Sequence, residues 1–234
     1  MIEAARELSE ACSRLKFKAP VTHIYNPLVY AWAAHEKYLT RCAASRKRVI
    51  LMGMNPGPFG MAQTAVPFGE IDAVRDWIGI NVPVDKPVKE HPKRPIEGFE
   101  CKRSEVSGRR LWGLFREEFP SSSEFFRDHF VLNYCPLAFM EESGRNRTPD
   151  KLPTPELAAL TKVCDRHLKK VIEILEPDWF VGVGGYAEDC AKRVIGPVDT
   201  PSIGRILHPS PASPAANRDW AGTARKQLLE QGIW

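Results

Sequence analysis

The sequence lacks the features that mark membrane, secreted and metal-cluster proteins. Its apolar runs are short, such as residues 49–52 (VILM), whereas a membrane-spanning helix needs about 20 apolar residues. The first ten residues carry acids and no apolar segment, so we expect no signal peptide. The 6 cysteines are dispersed without a CxxC pair, which argues against a zinc ribbon or an iron–sulfur cluster. Dispersed cysteines are typical of reduced, intracellular proteins.

Several catalytic signatures are missing as well. There is no GxSxG nucleophile elbow, no P-loop and no pair of carboxylates suited to glycoside hydrolysis. The net charge is only +4 over 234 residues, which by itself says little about a polyanionic partner. The charge is concentrated, however, because residues 86–110 hold eight Lys and Arg against four Glu. Such a basic loop suits a phosphate backbone.

Short apolar runs alternate with amphipathic helices along the chain. The apolar runs predict strands, and spacings of three and four predict helices. Strands that are apolar throughout are typical of a parallel sheet covered on both faces. The predicted strands span 49–54, 130–133, 179–183 and 203–207, and the predicted helices span 2–15, 28–43, 108–119, 156–175, 186–194 and 217–231. We expect a single domain, 1–234, with scaffold helices at 1–45 and a basic, proline-containing insert at 82–107.

Polar or glycine residues follow each predicted strand. Asn55, Asn133, Gly184-Gly185 and His208 stand at the four ends, and ligands of open parallel sheets bind beyond the carboxyl ends of the strands. Two carboxamides and an imidazole suit a reaction that needs orientation and charge stabilisation rather than a strong base. Hydrolysis of a nucleoside N-glycosidic bond fits this requirement.

Three alternatives remain open at this point: a nucleotide-cofactor-binding enzyme, a cysteine–histidine catalytic pair and a nucleic-acid-binding module without catalysis. Residues 182–187 (GVGGYA) match a dinucleotide-binding fingerprint, but no acid follows at the next strand end, and a tight turn or a phosphate site at the helix N-terminus also explains them. Cys135 with His208 would form a nucleophile–base pair, against the alternative of a buried structural cysteine. A catalytically silent nucleic-acid-binding module is the third possibility.

Residues 53–69 (GMNPGPFGMAQTAVPFG) and 208–211 (HPSP) resemble two signature motifs of the single-strand-selective monofunctional uracil-DNA glycosylases. Shorter blocks at 74–79, 91–94, 104–108 and 133–137 follow in the same order. The resemblance implies an α/β three-layer sandwich with a central four-stranded parallel sheet flanked by helices. It also implies hydrolytic excision of uracil and 5-modified uracils, such as 5-hydroxymethyluracil, from single- and double-stranded DNA, with water as nucleophile and no metal or cofactor.

The resemblance assigns roles to individual residues. Asn55 would hold the attacking water, and His208 would donate to the uracil O2 as negative charge develops. Asn133 would read N3–H and O4, Phe68 would stack on the flipped base, and Gly57 would leave room at C5. The expected substrate-binding residues are Met54, through its backbone N–H, Gly57, Phe59, Phe68 and Asn133.

The expected DNA-binding residues lie in the basic insert, the glycine turn and the loop after His208. They are Lys93, Arg94, Gly184, Gly185, Ser210, Pro211, Ala212, Ser213 and Pro214. His91 is expected to contact a backbone phosphate. The chain departs from the family pattern at Ala65, where relatives have glycine, and at Ala212-Ser213, where relatives often carry arginine and asparagine in a wedge that enters the duplex.

These departures and the composition lead to further expectations. If position 65 requires a positive φ, its methyl group strains the loop. A weaker wedge favours single-stranded or mismatched uracil, whose flipping costs less. We expect a DNA-binding monomer without membrane association. It would lie in the bacterial cytoplasm near the nucleoid, or in the nucleus if the organism is eukaryotic.

Overall fold

The computed structural model describes residues 1–196 and 200–234. The α-helices are α1 (Ile2–Ser13), α2 (Pro27–Tyr30), α3 (Trp32–Cys42), α4 (Met61–Thr64), α5 (Val106–Glu118), α6 (Ser122–Asp128), α7 (Thr154–Leu175), α8 (Gly185–Ile195) and α9 (Pro214–Glu230). The strands are β1 (Val21–Tyr25), β2 (Val49–Gly53), β3 (His129–Asn133), β4 (Ala138–Glu141), β5 (Asn146–Arg147), β6 (Trp179–Val183) and β7 (Ser202–Ile206). No helix in the described ranges is long and apolar enough to cross a membrane.

The central sheet has four parallel strands in the order β3-β2-β6-β7. Every residue of β2 and β3 is buried, because helices cover both faces of the sheet, and this explains the continuous apolar runs. The expected α/β architecture with a four-stranded parallel sheet is confirmed. Gly53 pairs with Asn133 at the carboxyl end, and Asn55 follows two residues later, so both carboxamides lie at the same end of the sheet.

A second, antiparallel sheet in the order β1-β4-β5 has no counterpart in the expected elements. Val21 of β1 pairs with Glu141 of β4, and such distant pairing leaves no trace in local periodicity. The segment that forms β4 reads in sequence only as an apolar stretch after Asn133. The helix expected at 28–43 is also divided, because Ala31 (φ −121°, ψ 31°) interrupts it between α2 and α3.

The basic insert is extended and is fastened to the domain by buried polar side chains. Gln63 donates to the carbonyls of Pro58 and Pro95 over 3.0 Å each and accepts from the N–H groups of Glu97 and Gly98. His91 is buried, with Nε2 3.1 Å from the carbonyl of Glu141. The expectation that His91 contacts phosphate is therefore wrong, since its ring fixes the insert to the second sheet.

Candidate active site

A cleft of about 630 Å³ opens where the parallel strands end. It is lined by the last residue of β3, by the loops that follow β2 and β7, by residues around the start of α5, and by residues in and after β5. The expected site residues that line it are Met54, Asn55, Gly57, Phe59, Phe68, Asn133, His208, Ser210 and Pro211. The strand-end rule thus placed the cleft correctly, and both proposed catalytic residues face the same space.

Asn55 is oriented by the connection between β3 and β4. Its Nδ2 donates to the carbonyl of Leu137 over 3.2 Å, which turns Oδ1 away from that carbonyl. A carboxamide oxygen accepts a hydrogen bond from water, but the amide has no pKa near neutrality. Asn55 can therefore orient a water molecule and cannot deprotonate it.

His208 and Phe68 border one slot in the cleft. Their ring centroids lie 6.2 Å apart and the ring planes are inclined at 45°. Burial lowers the pKa of His208, so the imidazole is neutral at neutral pH and still donates one ring N–H. Gly184 (φ 92°) lies behind this histidine, since a Cβ built there would be 3.0 Å from the His208 Cβ.

Asn133 forms another wall of the same slot. A Cβ built on Gly53 would lie 2.5 Å from both Asn133 Oδ1 and the Phe68 ring, so the amide and the ring are immediate neighbours. The backbone beyond Asn133 is fixed, because the N–H groups of Tyr134 and Cys135 donate to the carbonyls of Gly53 and Met54 over 2.9 Å each. An aromatic face beside a carboxamide suits a flat base with polar edges.

The loop from Thr64 to Gly69 that presents Phe68 contains two non-glycine residues in the left-handed region, Ala65 (φ 55°) and Phe68 (φ 53°). Position 65 therefore meets the condition under which its methyl group strains the loop. His35 lies with Nδ1 2.8 Å from the Ala65 carbonyl. Because burial lowers the pKa of His35 to about 4, the ring is neutral and donates its Nδ1–H to that carbonyl.

Glu105 is the cleft residue that sequence reasoning missed most clearly. Its side chain lines the cleft, and Oε2 has no hydrogen-bond partner among the described residues. Burial, with a smaller effect from the charge of Glu70, raises the pKa of Glu105 to about 7. A side chain at Gly57 or Gly60 would collide with this carboxyl group. The family-like segment 104–108 pointed to this region, but nothing in its sequence indicated that the Glu105 side chain faces the cleft.

Aromatic and cationic groups meet at the rim of the cleft. The guanidinium of Arg103 lies 4.1 Å from the Phe59 ring centroid, and that of Arg94 lies 5.5 Å from it. Lys93 is exposed beside them. Arg103 was not among the expected residues, whereas Lys93 and Arg94 were, and the arrangement offers both a stacking face and positive charge to a nucleic-acid strand.

The loop after His208 leads from the cleft to α9. Ser210 and Pro211 line the cleft, whereas Ala212 and Pro214 are exposed beyond it. Arg110 donates to the Pro209 carbonyl over 3.0 Å and to Asn217 Oδ1 over 2.8 Å. The Ser213 hydroxyl accepts from the N–H of Ala216 and caps α9. The loop is therefore anchored at both ends, and its tip carries only small side chains.

The structure contradicts one alternative and locates the other outside the cleft. Cys135 is fully buried, its Sγ lies 3.7 Å from the Leu137 carbonyl, and it does not line the cleft, so the nucleophile–base pair with His208 is wrong. Gly182 is packed against α8, because a Cβ there would lie 2.5 Å from the N–H nitrogen of Glu188. The glycine segment forms the turn from β6 to α8, and residues 182–187 do not line the cleft. Within residues 1–196 and 200–234, no cluster of three His, Cys, Asp or Glu side chains forms a metal site.

The chain is similar in sequence and in fold to known proteins. Residues 40–230 match the model of the uracil DNA glycosylase superfamily. Similar chains are the single-strand selective monofunctional uracil DNA glycosylases of Mus musculus (47% identity, 99% of this chain, 84% of the relative) and Rattus norvegicus (48%, 99%, 84%). The crystal structure of wild-type Pedobacter heparinus SMUG2 shares the fold, with a TM-score of 0.71, 16% identity and coverage of 98% of this chain and 97% of that one.

Proposed function

The chain belongs to the uracil DNA glycosylase superfamily, and we propose that it hydrolyses the N-glycosidic bond of uracil in DNA, with a preference for single strands, and leaves an abasic site. The observation that carries this proposal is the convergence of Asn55, Phe68, Asn133 and His208 on one cleft at the carboxyl edge of the sheet. The mammalian relatives bear names that state this activity.

The flipped uracil would lie between the ring of Phe68 and the polar wall formed by Asn133. Stacking on an aromatic side chain is worth roughly 1–3 kcal/mol per base. The Asn133 amide would accept from N3–H and donate to O4, and a bidentate contact of this kind contributes roughly 1–3 kcal/mol of discrimination. These contacts hold the base in place before any bond breaks.

Cleavage of the N-glycosidic bond sends the electron pair to the base and leaves a cationic sugar. The neutral His208 would donate its N–H to the uracil O2, where the negative charge develops, and such a donor is worth ~10²–10³ in rate. Asn55 would hold the water that attacks the sugar carbon. No lysine Schiff base forms in this scheme, so the abasic strand stays intact.

The wider surroundings bear on substrate range and DNA contact. Gly57 lacks a side chain, and the Glu105 carboxyl group fills the space beside it, so we propose that a 5-substituent such as a hydroxymethyl group would meet this carboxyl group. Phe59 with Arg103 and the exposed Lys93 would lie along the strand on one side of the cleft, and Ser210 and Pro211 would contact it on the other. We propose that the protein binds DNA as a monomer.

The test is release of uracil from a labelled single-stranded oligonucleotide, followed by alkali. We expect strand breaks only after alkali, and a loss of ~10²–10³ in rate for His208→Ala, with a comparable loss for Asn55→Ala. Asn81→Ala, at an exposed position outside the cleft, should keep the wild-type rate. If the wild-type protein forms no abasic sites but still binds the oligonucleotide, a silent binding module is the better description.

A further inference from the structure

We propose that Met61 is a positioning residue that sets the discrimination between uracil and cytosine, because its sulfur holds the Asn133 amide in one of two possible orientations. This inference rests on the proposed function, since it concerns how the same slot reads a base. It concerns a residue that does not itself line the cleft.

The contact between the two side chains has a definite polarity. Asn133 Nδ2 lies 3.2 Å from Met61 Sδ, and both residues are buried. A thioether sulfur accepts hydrogen bonds and has no hydrogen to donate, so it can face only the NH₂ group of the amide. Oδ1 lies on the side of Gly53 and the Phe68 ring, where the base would stack.

The rest of Asn133 is already fixed, so rotation of the amide by 180° is the main freedom left. The neighbouring N–H groups of Tyr134 and Cys135 hold the backbone to β2 and to Met54. A flipped amide would place Oδ1 against Met61 Sδ, so that two acceptors face each other in a buried setting. Leaving a buried hydrogen bond unmade is costly, and the observed orientation is therefore the favoured one.

The orientation of the amide decides which base fits. Uracil presents a donor at N3 and an acceptor at O4, whereas cytosine presents an acceptor at N3 and a donor at N4. The observed orientation offers Oδ1 to N3–H and the second hydrogen of Nδ2 to O4, which is the pattern for uracil. The flipped amide would offer the pattern for cytosine. A bias in the amide thus becomes a bias between the two bases.

The experiment compares binding of two oligonucleotides that carry 2′-fluoroarabino uridine or 2′-fluoroarabino cytidine at one position, where the fluorine slows cleavage. Met61→Leu removes the acceptor and keeps an apolar side chain of similar size. Because the net value of a typical hydrogen bond corresponds to about a fivefold preference, we expect the ratio of the two Kd values to fall about fivefold. Met140→Leu, at a buried methionine of β4, is the matched control and should keep the wild-type ratio.

A second variant separates the loss of the sulfur acceptor from any change in packing that leucine causes. Met61→Gln offers either a donor or an acceptor to Asn133, so it should also reduce the ratio. A merely loosened site would weaken binding of both oligonucleotides equally, and an unchanged ratio in both variants overturns the role of Met61. Release of uracil by the wild-type protein is measured in parallel. Absence of that activity rejects the proposed function itself, whereas activity with an unchanged ratio rejects only this inference.

Discussion

The indole N–H of Trp112 donates to the carbonyl of Phe68 over 3.0 Å. This bond fixes the backbone of Phe68, whose ring is proposed to stack on the base, to helix α5, although Phe68 itself lies in an irregular loop with a positive φ. The backbone that carries the stacking ring is thus held by a fully buried tryptophan. A backbone fixed before the base binds loses little conformational entropy on binding.

Phe68→Leu should weaken binding of uracil-containing single strands by about 5- to 150-fold, since one base–aromatic stack is worth roughly 1–3 kcal/mol. The measurement is a Kd for a slowly cleaved uridine analogue. Phe180→Leu, in the buried strand β6 away from the cleft, serves as the control: it should lower the free energy of unfolding and leave that Kd unchanged. Equal affinities for Phe68→Leu and wild type would remove Phe68 from the binding surface.

Glu105 should make stability fall as the pH rises. Its pKa is about 7 in the folded protein, above the ~4.3 of an unfolded chain. The stabilisation from the neutral carboxyl is therefore complete below about pH 4.3 and is lost as the pH rises through about 7. The free energy of unfolding of Glu105→Gln minus that of the wild type should therefore increase by up to about 3 kcal/mol from pH 4.5 to pH 8.

The free energy of unfolding of the variant is compared with that of the wild type because other groups titrate in the same pH range. Burial lowers the pKa of His35 and His167 to about 4 each, so these histidines make stability rise with pH, and their effect cancels in the difference. Glu173→Gln, at an exposed position of α7, is the control. A difference between Glu105→Gln and wild type that does not change with pH would contradict the assignment.

Ala65→Gly should stabilise the protein. Ala65 is held at φ 55°, where an L-residue with a Cβ is strained by roughly 1–2 kcal/mol, while the extra entropy of glycine in the unfolded chain offsets part of the gain. We expect an increase of about 0.5–1 kcal/mol in denaturant unfolding. Ala191→Gly, inside helix α8, should do the opposite. A loss of stability in both variants would show that position 65 is not strained.

The loop after His208 should make the enzyme selective for accessible uracil. Because Ala212 and Ser213 offer no long side chain to enter a duplex, single-turnover rates should decrease from single strands to U·G to U·A pairs. Ala212→Arg with Ser213→Asn should raise the U·A rate, and asparagine can still cap α9. Wild-type rates on U·A duplexes as fast as on single strands would contradict this prediction.

The sequence predicted the strands whose residue pattern is determined by burial alone. Strands β2 and β6 are apolar because both of their faces are covered, and the rule for parallel sheets then placed Asn55, Asn133 and His208 at one edge. Pairing between distant segments was not readable in this way. Strand β1 alternates buried and more exposed residues and pairs with β4, and β5 has only two residues.

The direction in which a side chain points was the second feature that the sequence did not predict. Glu105 precedes α5, where an acid is common because of the helix dipole, so its inward position had no signal of its own. His91 illustrates the reverse error, since a histidine in a basic loop suggested phosphate binding. Its ring instead accepts from the Lys93 N–H over 3.0 Å through Nδ1. Both cases depend on which way a side chain turns after the backbone is placed, and this is decided by tertiary contacts.

The bonds that orient the cleft join parts of the chain that are far apart in sequence. Asn55 bonds across 82 residues to Leu137, and Arg110 bonds across 99 residues to Pro209. Such contacts form only after long loops close, which is slow and entropically costly. Catalytic competence is consequently a property of the finished chain. A nascent or partly unfolded copy cannot hold the site together, so it would leave the bases it encounters untouched.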